Sequence, residues 1–148
     1  MRRQADEVMI NTDGSLDPSG AGYGAILKKC NGDVISAVTG SSNPKTSTVH
    51  KLQGIEAGLN LAINNNLTNV CVGTDSRVAC SFSSNNGSNV PWQAIGLWRR
   101  IQRYVNMFES FRITHIFRDS NRAADVLARP SAEFVEFIPS PRSQRQCL

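Results

Sequence analysis

Asn11-Thr12-Asp13-Gly14-Ser15 closes an apolar run that begins at Val8, and the position of its aspartate decides how the fold is read. The same join recurs twice. Val70 to Gly73 gives way to Thr74-Asp75-Ser76, and the run Phe111 to Phe117 leads into Asn121-Arg122-Ala123-Ala124-Asp125. Segments that end this way in one sheet bring their carboxylates together at its edge, and clustered carboxylates are the hard oxygen ligands a divalent cation takes. Each aspartate also has a structural reading. Asp before Gly is a common turn residue, Asp-Ser a common helix start, and Asp125 can pair with Arg122 or Arg129.

Outward from these joins, strands are predicted over Val8 to Thr12, Tyr23 to Lys28 and Val34 to Val38, the last two paired through the turn dipeptide Asn31-Gly32. Gly14 to Gly22, with its glycine, serine and proline, reads as a loop, as does Ser41 to Ser47. Leu52, Ile55, Leu59, Ala62 and Ile63 recur at helical spacing, with Thr48 as N-cap and Asn64-Asn65-Asn66 as the end. Beyond the strand Val70 to Gly73 come a short helix over Arg77 to Phe82, a surface loop over Ser83 to Asn89, and a longer helix opened by Pro91. That helix carries Trp92, Ile95, Trp98, Ile101, Val105 and Phe108 along one side. Phe111 to Phe117 alternates as a strand, and Asn121 to Ala128 forms a last helix before Pro130.

Two strand-helix-strand crossovers in this order require parallel pairing with helices laid over the sheet. The expectation is an α/β fold: a five-stranded mixed sheet, an antiparallel three-strand meander plus two parallel strands, flanked by helices. Its domain spans 8–130, with 1–7 as an N-terminal extension. Residues 131–148, interrupted by Pro139 and Pro141, read as a tail partly docked through Phe134, Val135, Phe137 and Ile138.

The 148 residues, 40% hydrophobic and 19% charged, suffice to bury the core of one domain. No apolar stretch approaches the roughly 18 residues a membrane span needs. A soluble monomer inside the cell, in cytoplasm or nucleus, is expected. Cys30, Cys71, Cys80 and Cys147 form no Cys-x-x-Cys pair, so neither zinc nor a disulfide framework is indicated; reduced thiols are expected, with Cys71 and Cys80 in or near the core. The net charge of +4 suits a polyanionic partner without requiring one. Arg99, Arg100 and Arg103 share one predicted helix and read equally as a solvated face, while Arg118, Arg122 and Arg129 surround the third aspartate.

The arrangement resembles the ribonuclease H fold, in particular the RNase H-like domains widespread in plants and in reverse-transcribing elements. Asn11 to Ser15, Gly20-Ala21-Gly22-Tyr23-Gly24-Ala25, Gly73-Thr74-Asp75-Ser76 and His115 to Ala128 carry the likeness, which covers about Val8 to Arg129. It implies Mg²⁺-dependent hydrolysis of the RNA strand of RNA–DNA hybrids, with four carboxylates holding two ions. Asp13, Asp75 and Asp125 resemble three of those catalytic, metal-binding carboxylates. Gly14, Ser15, Ser76, Asn121 and Arg122 lie beside them as substrate-binding candidates.

The fourth carboxylate is missing. Counting back without a gap from Gly58-Leu59-Asn60-Leu61-Ala62 puts Lys51 where the family has glutamate. Glu56 cannot replace it, since five residues along a helix are about 140° around the axis and about 7.5 Å further along it. An ammonium beside a cation site is costly: a unit pair at about 4 Å and an effective dielectric near 20 is worth about 4 kcal/mol, and the ion here is divalent. Lys51 is expected to turn to Asp13 or Asp75 and replace the metal as counter-charge, or else to face solvent.

The stretch preceding Lys51 offers hydroxyls, Ser47 and Thr48 among them, where relatives use amides to read ribose 2′-hydroxyls. Trp92, Trp98 and His115 read as packed side chains and not as base platforms or catalytic groups. The functions expected are therefore an RNase H-type hydrolase whose activity Lys51 puts in question, an inactive module binding RNA–DNA hybrid, RNA or a protein, or a retroelement-derived remnant.

Overall fold

The computed structural model describes residues 6–129 and 135–137. Five strands form the mixed sheet expected: β1 (Val8–Asp17), β2 (Gly20–Lys28) and β3 (Val34–Ser42) run antiparallel, and β4 (Asn69–Thr74) and β5 (Ser110–His115) are parallel to β1. A sixth, β6 (Val135–Phe137), pairs with β3, giving the order β5-β4-β1-β2-β3-β6. The docking residues Phe134 and Ile138 and the rest of the tail lie outside the described residues, as do residues 1–5.

The helices are α1 (Ser47–Asn64), α2 (Arg77–Ser84), α3 (Ile95–Val105) and α4 (Arg122–Ala128). The main core lies between the sheet and α1 to α3, where Ile10, Leu27, Leu52, Ile55, Leu59, Val72, Phe82 and Ile101 are buried. The opposite face of the sheet is covered at β1, β2 and β3 by α4. No helix among the described residues is long and apolar enough to cross a membrane.

Four expectations need correction. The stretch Gly14 to Gly22 is not a loop: β1 and β2 pair from Met9↔Lys28 to Asp17↔Gly20, leaving a turn of two residues held by Asp17, which accepts from the Ser19 amide and hydroxyl. The N-cap of α1 is Thr46, whose side chain accepts from the Val49 amide; Thr48 already lies in the first turn. Trp92 is 79% exposed, because the third helix begins as a 3₁₀ turn over Trp92–Ala94 that shifts the side-chain phase. Trp98 does pack, edge to face against Phe82 at 5.8 Å. Cys71 and Cys80 carry free thiols, but Cys30 is disulfide-bonded, which spacing without a paired motif does not signal; Cys147 lies outside the described residues.

Candidate active site

Glycines bring the functional elements together. On one face α1 presses against β1: a β-carbon on Gly14 would lie 2.0 Å from the His50 carbonyl carbon, and one on Gly54 would lie 2.4 Å from the Asp13 carbonyl oxygen. His50, fully buried, braces this helix start. Its Nε2 accepts from the Lys45 amide and its Nδ1 faces Gln53 Oε1 at 2.8 Å, while Gln53 Nε2 donates to the Ser42 hydroxyl. On the other face a β-carbon on Gly22 would meet the Ala128 carbonyl oxygen at 2.3 Å, and one on Gly24 the Leu127 side chain at 2.7 Å. The Thr39 hydroxyl donates to the Leu127 carbonyl, and Asn121 Nδ2 donates to the Thr12 carbonyl at 2.7 Å. Helix α4 is thus locked to the sheet at both ends.

Between these helices, midway along β1 and at the carboxyl end of β4, the charged side chains converge. Lys51 Nζ lies 2.7 Å from Asp13 Oδ1 and 3.2 Å from Asp75 Oδ1. Arg118 Nε stands 3.6 Å from Asp75 Oδ2, a charge contact too long for a hydrogen bond. The Asp125 carboxyl is near enough to add to the rise of Asp13, and it sits 3.8 Å from Arg129 Nη2. Burial pushes Asp13 up to about 6, against the pull of Lys51, with Asp75 and Asp125 adding to the rise. Burial acts first on Lys51 as well, lowering it, but Asp13 and Asp75 together hold the amine above its ordinary value. The ammonium therefore stays charged between two carboxylates.

Each sequence candidate can be placed. Gly14 is buried under α1 and Ser15 is half-buried on β1. Ser47 is exposed and Thr48 half-buried on the first turn of α1. The Ser76 side chain is used as the N-cap of α2, accepting from the Ala79 amide. Asn121 is fully buried and ties α4 to β1, while Arg122 is exposed. Glu56 pairs with Arg100 at 2.7 Å, away from the aspartates. His115 is half-buried with its ring 5.9 Å from that of Phe117. Sequence reasoning missed His50 as the brace of the helix start and Arg118 as a partner of Asp75. A buried histidine one residue before the lysine was the available signal for the first.

Does this donor set fit a pair of Mg²⁺ ions? The Lys51 amine occupies the space between Asp13 and Asp75, where a cation shared by the two carboxylates would have to stand. Among the described residues no group of three or more His, Cys, Asp or Glu side chains is disposed to hold a metal. With Lys51 as it stands, the residues present do not fit the ion pair.

A model of the reverse transcriptase-like family matches residues 11–131. The chain belongs to the reverse transcriptase-like family. Its fold is that of ribonuclease H, and solved structures similar to it include the RNase H1 of the halophilic archaeon Halobacterium salinarum, at 19% identity and a TM-score of 0.77, over 82% of this chain and 94% of that one. The N-terminal RNase H domain of a Mycobacterium tuberculosis protein, solved as a fusion with maltose-binding protein, is 25% identical with a TM-score of 0.77, over 82% and 90%. LC11 RNase H1, isolated from compost and solved with an RNA/DNA hybrid, is 19% identical with a TM-score of 0.73, over 82% and 93%. No curated protein matches the chain. Within this reverse transcriptase-like domain the aspartates stand midway along β1, just past the end of β4, and on α4, with lysine at the corner α1 supplies.

Proposed function

We propose that the chain is an RNase H-fold domain that binds nucleic acid, RNA–DNA hybrid or RNA, without metal-dependent hydrolysis. The observation that carries this reading is the Lys51 ammonium held at 2.7 and 3.2 Å between Asp13 and Asp75. Family membership and the hybrid-bound relative support the choice of polymer, and the motif text of the plant-type domains supports the lineage. In that lineage the chemistry implied is Mg²⁺-assisted phosphodiester hydrolysis. Here two carboxylates face an internal ammonium and Asp125 faces Arg129, so a second and third positive centre would enter a pocket that is already largely neutralised.

Exposed arginines around the pocket, Arg77, Arg118, Arg122 and Arg129, favour a phosphate backbone at the surface. The alternative is an active hybrid ribonuclease, which the three aspartates favour and which requires the amine to leave. Incubation of a labelled RNA–DNA hybrid with and without Mg²⁺ separates the two. The expected result is binding without cleavage by the parent chain. Cleavage by the parent that vanishes in Asp13→Asn would overturn the reading. A salt titration with hybrid, duplex DNA and single-stranded RNA tests the binding half: equal affinity for all three, lost at modest salt, would reduce it to nonspecific charge.

A further inference from the structure

Phe117 is 74% exposed, although it lies two residues past a strand that is half-buried throughout. Its place is fixed by its neighbours. The Ile116 amide donates to the Thr74 carbonyl at 2.9 Å, and Arg118 on the other side approaches Asp75. The aromatic ring therefore stands at the rim of the charged pocket, one residue from each of two contacts to the Thr74-Asp75 strand end. It is held by His115, whose ring meets it edge to face at 5.9 Å and an interplanar angle of 85°. His115 in turn lines a groove of about 430 Å³ between α2 and β5, together with Cys80, Ser83, Ser84 and Thr114. The exposed ring thus neighbours, through His115, a groove that Phe117 itself does not line.

A single exposed apolar side chain is ordinary in itself, and what distinguishes Phe117 is its place beside the charged site. Charge selects the partner. Arg118 is 78% exposed beside it, and Arg77 and Arg122 are exposed at the same end of the sheet, against Asp119 on the same turn. An exposed aromatic next to guanidinium groups is the pattern that takes a base on its face and the adjoining phosphate on its cation. Stacked duplex bases hide their faces, so such a platform serves a base that has left the stack.

We propose that Phe117, steadied by His115, is a stacking platform for an unpaired nucleobase, with Arg118 holding the neighbouring phosphate. This rests on the nucleic-acid reading above and specifies it: the preferred ligand presents an unpaired strand or a frayed end, and its binding needs no metal because the protein supplies the cations.

The test is fluorescence anisotropy of the full chain in EDTA, with labelled single-stranded RNA, a blunt RNA–DNA hybrid, and an abasic oligonucleotide of the same length. Base stacking on an aromatic ring makes Phe117→Ala lose about tenfold in affinity for single-stranded RNA and nothing for the abasic strand. Phe117→Trp should retain affinity and show quenching of the new indole on binding. Circular dichroism establishes that both variants fold; should Phe117→Ala fail to fold, the Phe117→Trp quenching decides alone. Parent binding that Phe117→Ala leaves unchanged, equal affinity for abasic and normal strands, or an unquenched indole would each overturn the platform while leaving the nucleic-acid reading intact. A parent chain that binds none of the three ligands would overturn both.

Discussion

Lys51 reaches Asp13 across 38 residues of sequence, its Nζ 2.7 Å from the Oδ1 of a carboxylate that is 2% exposed. Because burial raises Asp13 from 3.8 to about 6, its ionised form is disfavoured in the folded chain even with the amine present. The folded state therefore takes up a proton between these values: stability from this group is greatest below about 4, declines as pH rises to about 6, and stays lower above that. Lys51 follows the same sign in a higher window. Its raised folded value gives a contribution fully present below 10.5 and lost only as pH climbs through that higher value, so it is constant from pH 5 to 8.

Replacement of Lys51 by methionine should accordingly destabilise the chain more at pH 8 than at pH 5, by roughly 1–3 kcal/mol of difference. At pH 5 Asp13 is already largely protonated and needs its partner less. Urea unfolding at the two pH values measures this, and an equal loss at both would show that Asp13 does not titrate as its burial demands.

A second consequence concerns α1. Because a β-carbon on Gly54 would fall 2.4 Å from the Asp13 carbonyl oxygen, and backbone cannot yield as a side-chain tip can, Gly54→Ala must push α1 off β1. The cost expected is about 1–3 kcal/mol or more, with Lys51 displaced from the aspartates. Gly96 on α3 has nothing within 4 Å of the equivalent position, and Gly96→Ala should stabilise by about 0.5–1 kcal/mol through helix propensity alone. Thermal melts of the two variants side by side test the contrast, and a neutral Gly54→Ala would remove the close-packing account of the site.

The same glycines explain what the sequence concealed. Gly20 and Gly22 carry the signal of a loop, yet they lie in β2, and Gly22, like Gly24 in the stretch read as strand, is small because α4 needs the room. Turn chemistry and close packing call for the same residue, so composition cannot tell them apart. The apolar strands and the helical spacing of Leu52, Ile55 and Leu59 were legible because burial selects the side chain directly. The meeting of Lys51 with Asp13 was legible because a helix N-terminus repels an ammonium and a nearby carboxylate attracts it. Arg118 was not: it lies closer in sequence to Asp125 but pairs with Asp75, since the 3₁₀ turn after β5 carries it back over the end of β4. Strand β6 is three residues whose pairing depends on β3, and no local pattern announces it.

The edge of the sheet offers a third prediction. Glu7, 2% exposed, is gripped at 2.7 and 2.8 Å by Arg112, which joins the start of β1 to β5 across β4. Removing Arg112 takes two charge-assisted hydrogen bonds from a buried carboxylate. Arg112→Met should cost about 3–5 kcal/mol at neutral pH, while the double variant Glu7→Gln with Arg112→Met recovers a large part of it. A double-mutant cycle by chemical denaturation gives the coupling, and additive losses would show that the two side chains do not act as a pair.

The last prediction turns the substitution at position 51 around. With Lys51→Glu a fourth carboxylate joins Asp13, Asp75 and Asp125, and their mutual repulsion should lower the melting temperature by several degrees in EDTA. A divalent cation then relieves what the lysine had relieved, so millimolar Mg²⁺ should restore the loss, because a ligand that binds only the folded state stabilises it in proportion to the logarithm of one plus the ratio of its concentration to its Kd. The parent chain should melt at the same temperature with or without Mg²⁺. Its own amine stands 2.7 and 3.2 Å from the two oxygens a shared ion would need, and the ion cannot enter without expelling it. A parent whose melting temperature climbs with Mg²⁺ as steeply as the variant's would mean that the amine does yield, and hydrolysis would then return as the better account of the site.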